Sequence, residues 1–501
     1  MDFSTLRSMA AANPWWAIWP EISLGCLALL LLVVETVLPR SAQARIPLIS
    51  VGGQAGILAA LVLNFATPYR AAFNGLLMIS PAGQLMRVFF LVSSILVSLM
   101  ARRSPALQRA PRVEFHHVVL VVTAAMMLLV ESRNFVMLFV ALETVTVGLY
   151  ILVSYCRANP KTLEAGLKYL IMGALSSALL LFGIVLLYGV AGSPGLAGRT
   201  ADAMQYGGLA GFLEANPGNF LAAAGIALVL SGVAFKIGAF PFQIWVPDVY
   251  QGAPTPVTAL LAVASKGAGF VVLLVLVTEV FTAYAWMVEP ALVFMAAATI
   301  LFGNLAALKQ NNVKRLIGLS GVSHAGFILL AVVSSARAPI SVGAVYFYLY
   351  AYLIASFAVF GVMTVLSGPD DTEQELGDYA GLAKQSPFLA GVLACGLGSL
   401  AGIPPFAGFM AKLFVFVAAF RARHFGLLVV AVAGVVISIY YYFGWIRAAY
   451  FCDEGPVAPK TAERARAGAG LALGIALAGL TAASVVLGFY QGPLWNWVSG
   501  R

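Results

Sequence analysis

The sequence is poor in charge and in cysteine. Only 10% of its 501 residues are Asp, Glu, Lys or Arg, and its four cysteines are scattered, with no CxxC pair and no Cys/His cluster. This spacing argues against a zinc or iron–sulfur centre. The chain also has no GxGxxG motif after a strand and no GxxxxGK[ST] run, so nothing supports a nucleotide site. We predict that this chain holds no cofactor and no metal.

What the sequence has in abundance is apolar residues, which make up 61% of the chain. Sliding windows of about 19 residues give about fourteen apolar spans. The formal charge of +9 lies mostly in the short connections between these spans, so it does not indicate a nucleic-acid partner. We predict an all-α, polytopic transmembrane helical bundle.

The basic residues are distributed unevenly between the connections. With fourteen spans, Lys and Arg are concentrated in the odd-numbered connections, such as the one with Arg102 and Arg112. Cytoplasmic loops carry the excess of basic residues. We therefore predict that both chain termini lie on the non-cytoplasmic side of the membrane.

Three lysines stand within long apolar runs: Lys236, Lys266 and Lys412. An ammonium group at bilayer depth costs at least about 2.5–3.5 kcal/mol, so such residues face protein or trapped water and mark ion paths. Burial favours the neutral amine and a nearby carboxylate favours the charged one, so a buried lysine can carry a proton. For Lys412 there is an alternative: the lysine lies near a helix end and has no role in an ion path.

Prolines interrupt two of the predicted spans, at Pro241 within 219–246 and at Pro404 and Pro405 within 386–420. Each proline frees backbone carbonyls, so both helices are predicted to be broken. The two broken spans are five apart and therefore cross the membrane in opposite directions, which is typical of inverted repeats. The predicted organisation is three N-terminal helices in 1–113, a first five-helix repeat in 114–279, a second, inverted repeat in 289–450, and a C-terminal helix in 451–501.

Glu143 and His324 are the other ionisable residues near the middle of predicted spans. A buried carboxylate needs a partner, and Lys236 is the predicted partner of Glu143. A structural ion pair that locks two helices is the alternative. His324 is predicted to relay protons between the two halves, and the alternative is a histidine held by a backbone carbonyl.

Other polar residues carry weaker signals. Glu21 and Glu131 lie nearer the ends of spans, where water or headgroups are expected to solvate them. Tyrosines recur at every second position from Tyr346 to Tyr352, so on a helix they spread around the axis at steps of about 200°. We interpret them as packing and hydrogen-bonding residues.

Three motifs carry a resemblance to a known family: AFKIGAFPFQIWVPDVYQGAPTPVTALLAVASKGAGF, LKQNNVKRLIGLSGVSHAGF and SLAGIPPFAGFMAKLFVF. Over residues 114–450 the chain resembles the antiporter-like membrane subunits of the proton-pumping NADH:quinone oxidoreductase, respiratory complex I. DVYQGAPTPV followed by SKGAG is most similar to the subunit N group. The resemblance implies that Glu143 and Lys236 form the pair of a first proton half-channel. It makes Lys266 the connecting lysine, Lys412 the lysine of a second half-channel, and His324 part of the polar axis between them.

The resemblance also implies a function. It predicts a proton-translocating subunit of a bacterial inner-membrane NADH:quinone oxidoreductase, without redox chemistry of its own. NADH, FMN, Fe–S clusters and quinone are expected in partner membrane-arm and redox subunits. Three alternatives remain: an Mrp-type Na⁺/H⁺ antiporter subunit, a subunit of a ferredoxin- and plastoquinone-linked sister complex, and a purely structural subunit whose lysines hold helices together.

Overall fold

Helices dominate the part of the chain that the computed structural model describes, which comprises residues 13–37, 45–65, 69–372, 374–451 and 459–499. Thirteen helices in these ranges are long and apolar enough to cross a membrane. One further crossing is divided between two shorter helices, Pro387–Ala401 and Ala407–Arg421. The prediction of an all-α polytopic bundle with discontinuous helices is therefore confirmed. Both chain termini lie outside the described residues, so their side of the membrane stays a prediction.

The N-terminal part contributes three spanning helices and one hairpin. The helices are α1 (Trp19–Val37), α2 (Ile46–Leu63) and α3 (Pro81–Arg103), and the hairpin pairs β1 (Arg70–Ala72) with β2 (Leu77–Ile79) in antiparallel register. The start of α3 follows from its sequence, because the Ser80 side chain accepts the N–H of Gly83 at 3.0 Å and Pro81 occupies the first turn. Both are favourable at a helix N-terminus.

Five spanning helices follow. They are α4 (Arg112–Glu131), α5 (Phe135–Val153), α6 (Pro160–Ala191), α7 (Phe220–Ile237) and α8 (Thr255–Val280), with short helices at Tyr206–Ala215 and Val246–Gly252. Asparagine side chains cap three of them: Asn134 for α5, Asn159 for α6 and Asn219 for α7. Each cap satisfies a backbone N–H that the first helical turn leaves free.

The remaining spanning helices are α9 (Ala285–Ala307), α10 (Val313–Ser334), α11 (Ile340–Leu366), α12 (Pro387–Ala401), α13 (Ala407–Arg421), α14 (Phe425–Phe451) and α15 (Leu471–Phe489). Helices α8, α10 and α11 are buried along almost their whole length. They are apolar on all sides, as expected of helices surrounded by other helices. The centre of the bundle is therefore built from these three, and this is where charged side chains are most shielded from solvent.

The two broken helices end in the same way. Helix α7 stops at Gly238 and α12 stops at Gly402, with φ angles of +70° and +85°. Glycine adopts this left-handed conformation without steric cost and ends a helix there. A proline follows three residues later in each case, Pro241 and Pro405. Each break thus leaves the carbonyls of a helix C-terminus inside the bundle.

Candidate functional site

The three lysines singled out in the sequence all lie inside the bundle. Lys236, Lys266 and Lys412 are only 4%, 3% and 4% exposed. Because a buried ammonium group must be compensated by hydrogen bonds or charge, their partners determine what the site can do.

Lys236 lies in the last turn of α7 and faces α5. Its Nζ donates a hydrogen bond to Thr146 Oγ1 at 2.8 Å, and the Thr146 hydroxyl in turn donates to the Leu142 carbonyl. Glu143, one turn before Thr146, accepts a hydrogen bond from Ser177 of α6. In the described part of the chain the two charged groups therefore each contact a hydroxyl, and the expected direct contact between Glu143 and Lys236 is absent.

Glu143 is only partly buried. It lines an open groove of about 600 Å³ on the outside of α4 and α5, together with His117 and Thr144. Apolar side chains such as Val121 and Phe139 form the rest of this groove. The carboxylate is thus accessible from the outer surface of the bundle, whereas Lys236 is accessible only from within.

Lys266 lies at the contact between the two halves of the bundle. It follows directly on a π-helical segment, Leu261–Ser265, and such segments are common at functional sites. Its Nζ donates to the Gly321 carbonyl of α10 at 3.0 Å and lies 5.6 Å from the centre of the Tyr250 ring. A Cβ atom on Gly321 would lie 3.2 Å from Lys266 Nζ and 2.9 Å from the Tyr352 hydroxyl. Glycine at 321 therefore allows the lysine and Tyr352 of α11 to approach the same point.

His324 lies next to Tyr352 and is the next polar side chain after Lys266 and Tyr352. Its Nδ1 lies 2.7 Å from the Tyr348 hydroxyl and its Nε2 lies 3.1 Å from the Tyr442 hydroxyl. The centre of its ring is 5.0 Å from that of Tyr352. Both ring nitrogens thus contact hydroxyls that can donate or accept, which is the arrangement a proton relay needs.

A small cavity separates His324 from the second helix break. It measures about 10 Å³ and is lined by His324, Tyr348 and Tyr352 on one side and by Ser399 and Leu400 on the other. Most of the cavity's lining surface is apolar, and its volume is at the lower limit for holding one water molecule. The cavity therefore marks a narrow gap between the histidine and the end of α12.

Lys412 binds the backbone at the end of α12. Its Nζ donates to the carbonyls of Leu400 and Ala401 at 2.9 and 2.8 Å, and it lies 5.3 Å from the centre of the Phe327 ring. These carbonyls end helix α12, where the helix dipole favours a positive charge. Lys412 lies in the second turn of α13 and is buried in the bundle, so its position near a helix end does not bring it into contact with solvent.

The sequence interpretation missed the hydroxyl groups that join these residues. The interpretation of Tyr348 and Tyr352 as packing and hydrogen-bonding residues does not assign them to the site, yet both line the cavity beside His324. They are four residues apart and thus share one face of α11, which is the signal that could have identified them. Nothing local in the sequence distinguishes Thr146 or Tyr442, because their role comes from contacts with distant helices.

A buried ion-pair triad in the N-terminal part also differs from expectation. Arg87 is fully buried and binds Glu21 through Nε at 2.7 Å and Glu131 through Nη2 at 2.9 Å. Both glutamates were expected to be solvated near span ends, but they are 5% and 1% exposed. The reason is that α1, α3 and α4 pack together at this level and enclose all three side chains.

A second buried pair anchors the helix that carries Lys266. The Asp371 carboxylate accepts the backbone N–H of Thr255 at 2.5 Å and the Thr255 hydroxyl at 2.9 Å, at the first residue of α8. Lys314 Nζ lies 3.7 Å from the same carboxylate and donates to the Ala253 carbonyl. The loop after α11 therefore holds the N-terminus of α8, where a negative charge is favourable.

Replacing Asp371 by asparagine tests this anchor. The variant keeps an acceptor for Thr255 but removes the charge beside the helix N-terminus and Lys314. Because Lys314 keeps its hydrogen bonds to the carbonyls of Ala253 and residue 371, we expect a loss of only about 1–2 kcal/mol in stability. Thermal unfolding of the purified protein measures it, with Asp378→Asn as the control outside the α8 contact. An unchanged melting temperature for Asp371→Asn alone would contradict the anchoring role.

Charged groups at the same end of the bundle surround the short helix after the first break. Asp248 accepts hydrogen bonds from Lys168 at 2.7 Å and from Arg315 at 2.6 Å. Partial burial by itself would raise the pKa of Asp248, but these hydrogen bonds outweigh it and hold the pKa below its usual value. Asp248 is therefore ionised at neutral pH and links α6 to α10 across the break.

The central part of the chain matches a known protein family. The family described as "NADH:quinone oxidoreductase/Mrp antiporter, TM" matches residues 132–438. Within the described residues, no group of three or more His, Cys, Asp or Glu side chains could hold a metal ion.

Individual relatives match over nearly the whole chain. NADH-quinone oxidoreductase subunit N 1 of Opitutus terrae is 64% identical over 505 residues, covering 100% of both chains. NAD(P)H-quinone oxidoreductase subunit 2 of a Synechococcus strain is 36% identical, covering 85% of this chain and 78% of its own. A chain in respiratory complex I of Thermus thermophilus superimposes with a TM-score of 0.73 at 31% identity, covering 94% of this chain and 98% of that chain.

Proposed function

Because this chain belongs to the subunit N group of the NADH:quinone oxidoreductase/Mrp antiporter family, we propose that protons move through it along Lys236, Lys266, His324 and Lys412. The chain is a multi-pass, proton-translocating, antiporter-like subunit of the membrane arm of NADH:quinone oxidoreductase.

The observation that carries the proposal is the row of polar side chains between Lys266 and Lys412. Lys266 and Tyr352 both lie next to Gly321, His324 lies beside Tyr352, and a small cavity lies between His324 and Leu400, whose carbonyl binds Lys412. Protons hop between groups that can both donate and accept, and hydroxyls, imidazole and water all meet this condition. An apolar scaffold held together by lysines would need none of these hydroxyls.

Glu143 controls the entry of this path. Its carboxylate lies one helical turn from Thr146, the hydroxyl that binds Lys236, so its charge stabilises a proton on that lysine. A positive charge that approaches Glu143 from the outer groove weakens this effect. The groove therefore supplies a place where a neighbouring subunit can influence proton binding inside.

The organisation in two repeats is part of the same proposal. Residues 114–279 and 289–450 form the two half-channels, after the three helices of 1–113 and before the C-terminal helix of 451–501. Support comes from the two glycine-terminated breaks, each followed by a proline three residues later. The carbonyls of Leu400 and Ala401 at the second break, before Pro404 and Pro405, bind Lys412, as in discontinuous helices of other transporters. Lys236 lies in the last turn of α7, before the first break and Pro241.

The driving energy comes from partner subunits. We propose that NADH, flavin, Fe–S clusters and quinone reside there, and that quinone reduction drives proton movement through this chain. We further propose a bacterial inner-membrane location with both termini on the non-cytoplasmic side, on the basis of the basic connections.

Replacing His324 by phenylalanine in the assembled complex tests the link between the two halves. Phenylalanine fills similar space but cannot exchange protons with Tyr348 or Tyr442, so we expect proton translocation to fall by roughly tenfold, about 1.4 kcal/mol of added barrier. Proton uptake by proteoliposomes during NADH oxidation measures this. His424→Phe is the matched control, since His424 lies outside the path. Wild-type translocation in His324→Phe would exclude His324 as the connection.

A further inference from the structure

A pocket at one end of the bundle is separate from the proton path. It has a volume of about 310 Å³ and lies where the start of α2, the end of α3 and the start of α4 meet. Its polar lining consists of Arg102, Gln108, Arg112 and His116, and Pro47 and Phe115 contribute to its walls. It opens at the level where these helices leave the apolar part of the bundle.

The rim of this pocket is positive. Arg102 and Arg112 are exposed, and among the ion pairs of the described residues neither guanidinium has a carboxylate partner. Helix α4 begins at Arg112 without a side-chain cap, because its N-cap residue is Pro111. The free N–H groups and the dipole of a helix N-terminus favour an anion.

The interior of the pocket supplies an independent signal. His116 is 2% exposed, and its Nδ1 is buried without a hydrogen-bond partner. Buried polar atoms nearly always have a partner, and an acceptor bound in the pocket that His116 lines would supply one. With Nδ1 protonated, the ring donates to an acceptor placed in the pocket.

We propose that this pocket binds the phosphate group of an anionic phospholipid. Arg102 and Arg112 would bind the phosphate oxygens from the rim, and His116 Nδ1 would donate from the interior. Arginines are suited to planar, paired contacts with phosphate, and basic pockets at helix ends bind the headgroups of anionic lipids. Pro47, Leu107 and Phe115 give the pocket walls an apolar part, against which the start of an acyl chain can lie. A free phosphate ion would use the same polar groups but not this apolar surface.

Photo-crosslinking tests the proposal in the assembled complex. Nanodiscs of phosphatidylcholine with photoreactive phosphatidylglycerol are irradiated, and crosslinks to residues 101–121 are quantified. For Arg102→Gln combined with Arg112→Gln we expect at least about tenfold fewer crosslinks, equivalent to about 1.4 kcal/mol, because both charge-assisted contacts at the rim are lost. His116→Phe is expected to reduce them as well. Arg109→Gln, in the same connection but outside the pocket lining, is the matched control and should crosslink like the wild type.

Two outcomes would overturn the proposal. Equal crosslinking of the double variant and Arg109→Gln would show that the pocket does not select anionic lipid. Loss of wild-type crosslinks on addition of millimolar inorganic phosphate, at constant ionic strength set with chloride, would assign the site to free phosphate. The measurement needs no proton translocation, so its result is independent of the proposed path.

Discussion

Replacing Lys266 by methionine is expected to lower proton translocation by the assembled complex on the order of a hundredfold. Lys266 lies on α8 of the first proposed half and its Nζ donates to the Gly321 carbonyl of α10 in the second, so among the charged groups of the proposed path it is the one that joins the two halves. Without the amine, a proton must cross this region as an uncompensated charge, at a cost of about 2.5–3.5 kcal/mol. Each 1.36 kcal/mol of barrier is about a factor of ten in rate.

Methionine is chosen because it is apolar and similar in length, so the buried position stays filled. We therefore expect normal assembly on native gels and a nearly unchanged melting temperature. Proton uptake by proteoliposomes is the measurement, and Lys309→Met, an exposed lysine at the end of α9, is the control. An assembled Lys266→Met complex that translocates protons like the control would disprove the path. A complex that fails to assemble would support the structural alternative instead.

The sequence predicts the charged members of the site better than the connections between them. Lys236, Lys266 and Lys412 are identified from hydropathy alone, because a charge in a long apolar run conflicts with the cost of burying it. The hydroxyls are different, since serine, threonine and tyrosine occur in many apolar helices. Whether Tyr442 contacts His324, 118 positions away, depends on how α10, α11 and α14 pack, which periodicity does not define.

The hydrogen-bond partner of Glu143 also depends on helix packing, which the sequence pattern does not define. Glu143 and Lys236 are both mid-span charges, and pairing them is the simplest electrostatic expectation. The structure instead places Thr146 against the lysine and Ser177 against the carboxylate, because the rotation of α5 directs Glu143 toward the outer groove. A helix with apolar residues on all sides gives no indication of its rotation.

The Arg87 triad is the clearest case of a feature that only the fold defines, and it leads to the prediction with the largest effect on stability. Glu21 and Glu131 each lie at an end of a helix in the sequence, and neither end is solvated once α1, α3 and α4 pack. Removing Arg87 would leave two buried carboxylates facing each other without a counterion.

We therefore expect Arg87→Met to lower the free energy of unfolding by about 3–5 kcal/mol, the usual cost of breaking a buried ion pair. The assembled complex should then be scarce on native gels. Combining Arg87→Met with Glu21→Gln and Glu131→Gln removes all three charges, and we expect most of the stability to return, because neutral replacements of a complete buried ion group are often tolerated. Thermal unfolding of the solubilised complex compares the variants, and Arg103→Met, at the exposed end of α3, is the control. If the triple variant is as unstable as Arg87→Met, the packing of the arginine stem, rather than its charge, holds the three helices together.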